Sequence, residues 1–336
     1  MSGWRLVRAA ARWEGVLAII LVSLVAVGVV VSPVFATPRN LPNLMSSVIE
    51  VAIMALPMTL VVIAGEIDLS VESMAGLAIA LVGVLWAAGV PMEVVIPVVL
   101  VVGLLGGLFN GLLVTRVGLP SLVVTLGTLA LFRGLAFALL ESRGVTGFPS
   151  WFTDFGFGAI PGTPVPWSMT VFVVLAVVLG VVLHGTRIGR QIYALGKNPS
   201  AARLSGVAVE RLKLWLFGLS GLVAAAAGIL MSARFASARA DIGQGTTLVV
   251  VTIVLLGGVN IFGGRGTIAG VVLAAATLAV LGNVLRLTNV SAEIQSIATG
   301  LLLIVSVVIP NLAHHVGPAV RRLVAPQPPA VEARPG

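Results

Sequence analysis

Three carboxylates fall within the stretch AGEIDLSVES, residues 64–73: Glu66, Asp68 and Glu72. Hydrocarbon flanks them on both sides, so they can start a helix, pair with a cation or line a wet path through an apolar medium. Asp68 and Ser70 read as a helix start, with Ser70 at the N-cap and Glu72 in the first turn. Glu66 precedes that cap and needs another partner. The glycine-rich turn LLGGVNIFGGRGTIAG, residues 255–270, offers Arg265, with Asn260 nearby. Two amides, Asn110 in GGLFNGLL and Asn283 in VLGNVLRL, sit among small residues, where an amide either bonds across a helix interface or faces a pathway. Glu66, Asp68, Ser70, Asn110, Asn260, Arg265 and Asn283 are therefore the candidate gate or pathway residues. None of this reads as catalysis. The sequence has no phosphate-binding P-loop, no HExxH, no Gly-x-Ser-x-Gly elbow and no Ser/His pair within a span. With no cysteine and three histidines, a metal centre or cofactor in this chain is not expected.

The elements that must position these residues are set by the solvent. Hydrophobic residues make up 58% of the chain and charged ones 10%, with a mean hydropathy of +1.13. Runs such as LVVVTIVLL have no polar face to show to water. The chain is all-α and polytopic in a membrane, because only helices satisfy the backbone across hydrocarbon in a chain with this pattern. Apolar segments predict about ten spans, near 16–36, 46–64, 71–89, 94–115, 120–140, 167–185, 212–232, 246–258, 267–285 and 294–311. The eighth is short and ends in five glycines, which predicts a tilted, broken or re-entrant helix. The amino terminus has some features of a signal peptide, but its apolar run is long for one, and an uncleaved first span is expected.

Orientation follows from the basic residues. With the amino terminus inside, fourteen of the twenty Lys and Arg fall on the cytoplasmic side, including Arg187, Arg190, Lys197, Arg203, Arg211 and Lys213 in one loop. Five fall outside and Arg133 lies within the fifth span. The net charge of +8 is thus a topology signal, and no nucleic-acid partner is implied. The expected organisation is a cytoplasmic amino terminus (1–15), a transmembrane domain (16–312) and a cytoplasmic tail (313–336), in contact with membrane lipid. An external loop, about 141–166, is rich in Phe, Trp, Gly and Pro, which suits either an interfacial aromatic belt or a surface met by a soluble partner. The internal loop, about 186–211, contains PSAARLSGV, in which Pro199 and Ser200 can start a short helix that stops at Gly206. Such a helix is a plausible docking knob. The stretches around residues 65 and 258 share apolar entry, a glycine-centred turn and a closing Ala-Gly, as in a two-lobed transporter with repeated halves.

AGEIDLS, PSLVVTLGTLALFRGLA, GRQIYALGKNPSAARLSGV, LSGLVAAAAGIL and LLGGVNIFGGRGTIAGV, in that order over about residues 41–312, resemble the permease subunit of ribose-type bacterial ABC importers. GEIDLS, FRGLA, FTDFG, PGTPVPW and GGVNIFGGRGT are most similar to permeases for rhamnose or for autoinducer-2, with rhamnose slightly favoured. The resemblance implies a type II importer-like permease fold in the bacterial cytoplasmic membrane. It also implies partners: two copies of a cytoplasmic ATPase that binds ATP and magnesium, a second permease (the same chain or a sister), and a periplasmic or lipid-anchored sugar-binding protein. It maps the coupling element onto Gly196, Asn198, Ala201, Ala202 and Gly206, and the acidic signature onto Glu66, Asp68, Leu69 and Ser70. Family members mostly carry glycine where this chain has Glu66, and often where it has Glu72, so these two are candidates for gating specific to a subgroup. The alternative is a secondary transporter or channel not coupled to ATP. That class places ionisable pairs at mid-membrane, whereas these carboxylates stand mostly at span ends. An intramembrane enzyme or a scaffold subunit fits the residues less well.

Overall fold

The computed structural model describes residues 3–141, 143–306 and 308, and its fold is all-helical. Among the described residues β pairing is limited to two isolated bridges, Val145 with Ala238 and Ala159 with Pro166. The expected tail, 313–336, and the end of the tenth predicted span lie outside the described residues.

The helices run α1 (Gly3–Val31), α2 (Leu41–Ser46), α3 (Ile49–Ile63), α4 (Val71–Ala87), α5 (Met92–Leu112, continued by a π-helical turn, Leu113–Val117), α6 (Ser121–Leu140), α7 (Ser150–Phe157), α8 (Trp167–Gly185), α9 (Arg187–Lys197), α10 (Pro199–Leu204), α11 (Val209–Phe235), α12 (Thr246–Leu256), α13 (Ile268–Leu287) and α14 (Ala292–Ser306). All ten predicted segments are helices. Seven are long and apolar enough to cross a membrane, whereas α4, α12 and α14 are shorter. At about 1.5 Å per residue, the eleven residues of α12 reach about half the thickness of a hydrocarbon core, as a broken or re-entrant segment would.

The arrangement is concentric. Every residue of α3 is buried, which is what a helix apolar on all sides requires when protein surrounds it. Around it pack α11, α12, α8 and α13, while α11 also lies along α4 and, most extensively, along α5. α1, α6 and α8 turn most of their apolar surface outward, as lipid-facing helices do. α1 packs on α13, and its Trp13 indole donates to the Leu256 carbonyl at 2.9 Å. The long loop after α6 is itself folded: α7 packs on α11, and Phe148, Phe152 and Trp86 meet edge to face.

Candidate functional site

The break between α3 and α4 follows from Gly65, which adopts φ +84°, a left-handed conformation costly for residues with a side chain. Past it, the chain runs as irregular backbone from Glu66 to Ser70. In this segment Asp68 is 1% exposed, which places its carboxyl group in the protein interior. Its Oδ1 accepts from the Ser70 amide at 3.0 Å and the Ser70 hydroxyl at 2.6 Å, and its Oδ2 accepts from Ser220 Oγ of α11 at 2.7 Å. Asn110 Nδ2 of α5 donates to Ser70 Oγ at 2.8 Å. The start of α4, α5 and α11 thus close on one carboxyl group that has only neutral donors. Ser70 does occupy the N-cap position of α4, but its side chain makes no capping bond. The expected cap is corrected in that respect, because the hydroxyl turns back to satisfy Asp68, the more demanding acceptor in an apolar interior.

Replacing Asp68 with Ala leaves two buried hydroxyls and one amide without their acceptor. At about 1–3 kcal/mol per orphaned group, the expected result is a marked fall in thermal stability of the detergent-purified protein, with Asp68→Asn milder because one acceptor oxygen remains. Thermal unfolding of the two variants beside the parent chain measures this.

Glu66 does not pair with Arg265, as the sequence suggested; its carboxylate bonds Lys213 near the start of α11. The glycine turn lets the segment lean toward α11, and Lys213 stands two helical turns from Ser220, so one face of α11 holds both acidic residues of the break. Glu72 pairs with Arg133, the thirteenth residue of α6, at 2.7 Å, and a second pair, Arg234 with Glu50, joins α11 to the first turn of α3 at 2.6 Å. Both carboxylates are buried and both guanidiniums half-buried; the carboxylates stand in the first turns of their helices, at span ends as the sequence suggested, while Arg133 reaches its partner from the middle of α6. Asn283 exchanges hydrogen bonds with Asn40 at 2.9 and 3.1 Å and joins α13 to the start of α2, as an interhelical bond.

The two glycine turns that look alike in sequence meet in space. The Gly264 amide donates to the Ile63 carbonyl at 2.8 Å, at the end of α3. Asn260 shapes its own turn: its Oδ1 accepts from the Phe262 amide at 2.9 Å, and its amide donates to the Arg265 carbonyl at 3.0 Å. Between the turns sits Gly196 of α9. A Cβ there would lie 1.8 Å from the Ile63 oxygen and 2.5 Å from the Gly264 nitrogen, so only glycine fits this approach. One turn earlier on the same side, Tyr193 also holds α9, its hydroxyl donating to the Gly266 carbonyl at 2.6 Å; burial pushes the phenol up to about 12 and keeps it a donor. From α9 the chain turns into α10. α10 starts at Pro199 and Ser200 as expected, and Asn198 supplies its N-cap: Asn198 Oδ1 accepts from the Ala201 amide at 3.0 Å. Ala202 is buried under α10, Ala201 is exposed, and Gly206 ends the element at φ +83°.

Beside this junction an apolar hollow opens among Met58, Ile67, Leu69, Leu122, Val251 and Ile261. Its walls come from α3, α12, the start of α6 and both breaks, so any shift of the turns changes its shape. The site brings together Glu66, Asp68, Ser70 and Asn110 on one side and Asn260, Arg265 and Gly196 on the other. Asn283 stands apart from both. Sequence reading missed Lys213, Ser220 and the Glu72–Arg133 pair, since no local spacing marks a partner more than sixty residues away.

The profile of the family described as branched-chain amino acid transport system, permease component, matches residues 40–307. Among curated relatives, the autoinducer 2 import system permease protein LsrD of Photorhabdus temperata is 36% identical over 309 residues, 90% of this chain and 92% of that protein. Its namesakes are 37% identical in Yersinia enterocolitica, over 80% of this chain and 83% of theirs, and 36% identical in Enterobacter sp., over 90% and 94%. No solved structure matches. The motif resemblance to bacterial importer permeases is borne out over residues 40–307, and since the matching family and relatives are permease components the chain is a transport subunit rather than an enzyme. It belongs to the family of membrane permease components of branched-chain amino acid-type transport systems.

Proposed function

We propose that this chain forms half of the membrane pathway of an ATP-driven importer, in which α9 and α10 receive motion from a cytoplasmic ATPase and pass it to the two glycine breaks. The observation that carries this reading is Gly196, seated against the backbone of both breaks at once. A push on α10 reaches Ile63 and Gly264 through backbone contacts, with no flexible side chain to absorb it. The breaks then act as the inner gate beside the apolar hollow, with Asn198, Ala201 and Gly206 on the docking surface and Ala202 buried beneath it. ATP and magnesium belong to the ATPase. A second permease, identical or a sister chain, completes the pathway, and a periplasmic or lipid-anchored binding protein delivers the solute. The distribution of Lys and Arg supports a cytoplasmic location for both termini in a bacterial inner membrane.

For the solute, the family description names branched-chain amino acids and the relatives above are named for autoinducer 2. The relatives' identity over most of the chain moves autoinducer 2 ahead of rhamnose as the expected cargo, with a sugar-like, uncharged molecule as the class. The test is ATP hydrolysis in proteoliposomes holding this chain with its genomic-neighbour ATPase and permease. The binding protein is added loaded with autoinducer 2 or with rhamnose. Stimulation by one loaded form identifies the cargo; a complex with basal ATPase and no response to either rejects both.

Glu66→Gly probes the gate within that assay. Loss of the pair with Lys213 frees the break from α11 without touching the Asp68 network. At about 1 kcal/mol for a partly exposed pair, folded yield is expected to hold while the ratio of stimulated to basal ATPase falls roughly fivefold. Unchanged stimulation across the solute range removes Glu66 from the gate.

A further inference from the structure

α12 begins without a side-chain cap of its own, and its Thr247 is buried against α4. Its N-cap residue is Gly245, at φ +84°, which has no side chain to satisfy the first-turn amides. Gln244, Gly245 and Leu248 are exposed, but Thr247 is buried, and there an unmet amide is costly and the positive end of the dipole uncompensated. Glu72 supplies both needs from another helix. Its Oε2 accepts from the Thr247 amide at 2.8 Å, while its Oε1 accepts from Arg133 Nη2 at 2.7 Å. The second arm of the guanidinium, Nη1, donates to the Ala240 carbonyl at 2.8 Å. One carboxylate and one forked cation therefore tie the first turn of α4, the middle of α6, the loop that precedes α12 and the start of α12 itself. That loop is also pinned at Ala238, which exchanges backbone bonds with Val145 at 2.8 and 3.0 Å.

The other end of α12 is the glycine turn that touches Gly196. A short stiff helix therefore runs from the junction with α9 to the Glu72–Arg133 clamp, about 16 Å away at 1.5 Å per residue. A rod pushed at one end delivers displacement to the other only if a fixed point prevents it from tilting. We propose that Glu72 and Arg133 are positioning residues for transport, holding the start of α12 so that movement at the Gly196 junction reaches the loop 236–245 in register. The proposal rests on the importer reading above and adds to it a transmission element and its anchor.

Two kinds of variant separate anchoring from plain structural support. Glu72→Gln keeps an acceptor for the Thr247 amide and removes the charge; Glu72→Gln with Arg133→Met removes both charges together, so no lone cation is left buried if the single variant folds poorly. Both are placed in the complex with ATPase, second permease and binding protein, in proteoliposomes supplied with autoinducer 2 and, separately, rhamnose. Because this chain has no cysteine, Gln244→Cys and Trp151→Cys place its two spin labels on the loop and on α7, the chain being labelled before it is assembled with its partners. Loss of the anchor is expected to lower solute moved per ATP by about tenfold while ATP turnover stays within about twofold, and to shrink the ATP-dependent change in label separation. General damage would lower flux and ATP turnover alike. A parent complex that transports, with variants equal to it in flux per ATP and in label separation, overturns the anchor alone. A parent complex that moves neither solute on ATP overturns the importer reading and the anchor with it.

Discussion

Gly196→Ala is expected to lower solute uptake by the assembled complex at least about tenfold, while Gly127→Ala leaves it unchanged. The added methyl at position 196 falls 1.8 Å from the Ile63 carbonyl oxygen and 2.5 Å from the Gly264 nitrogen, whereas one at position 127 meets nothing within 4 Å. Those two backbone atoms are hydrogen-bonded to each other at 2.8 Å, so the methyl can be housed only by breaking the bond that joins the two breaks. Overpacking of this kind costs about 1–3 kcal/mol, and about 1.4 kcal/mol already changes an equilibrium tenfold, so uptake is expected to fall at least about tenfold. Gly127 lies within α6 and tolerates a better helix former. Uptake is measured in vesicles, and co-elution with the ATPase reports whether the complex still forms. Wild-type uptake by Gly196→Ala shows that α9 and the breaks are not in rigid contact, and the coupling route through Gly196 is then wrong.

That contact was half legible in the sequence. Two glycine-centred turns with the same apolar entry stand out in a linear reading, as does a basic loop with a short helix in it. Their meeting does not, because glycine announces only that something comes close, and the identity of the approaching backbone depends on packing over more than a hundred residues. The same limit explains Glu66. Arg265 was the nearest cation in a comparable turn, but Lys213 reaches it because α11 runs alongside the break. Ser70 shows the converse failure. Local rules place it correctly at the N-cap position, and a buried carboxylate two residues earlier then takes its hydroxyl.

Hydropathy located ten apolar helices among the described residues and could not rank them from centre to rim. α3 and α8 have similar apolar composition, yet α3 is buried throughout and α8 mostly faces outward. Lipid tails and protein cores are equally apolar, so a span carries no signal in its mean hydropathy for which of them surrounds it. Small residues carry that signal instead. Gly103, Gly107 and Gly111 repeat every four residues along α5, and α11 carries Gly218, Gly221 and Ala225. These are the two helices that pack most extensively on each other.

Gly107→Val is accordingly expected to be the most destructive single change in the bundle. A Cβ at Gly107 would lie 2.2 Å from the Phe217 carbonyl oxygen, one at Gly103 2.3 Å from the Ala225 Cβ, and one at Gly221 2.3 Å from the Gly103 oxygen. Backbone atoms of one helix touch the glycines of the other, and no rotamer change can make room. Valine needs α5 and α11 to move apart along their whole shared face, where dispersion and interhelical contacts supply most of the association. The separation would also draw Asn110, one turn beyond Gly107, away from Ser70, and shift Ser220 relative to Asp68, so the polar cluster would lose its closure together with the apolar face. A loss of about 3 kcal/mol or more follows from overpacking and the opened cluster combined. The measurement is the monodisperse fraction after solubilisation and its thermal half-life, with Gly134→Val on the open face of α6 as the matched control, since nothing lies within 4 Å of its Cβ position. If Gly107→Val keeps the parent's half-life, glycine contact does not set the spacing of α5 and α11, and the polar cluster must be held closed by Asp68 and its partners alone.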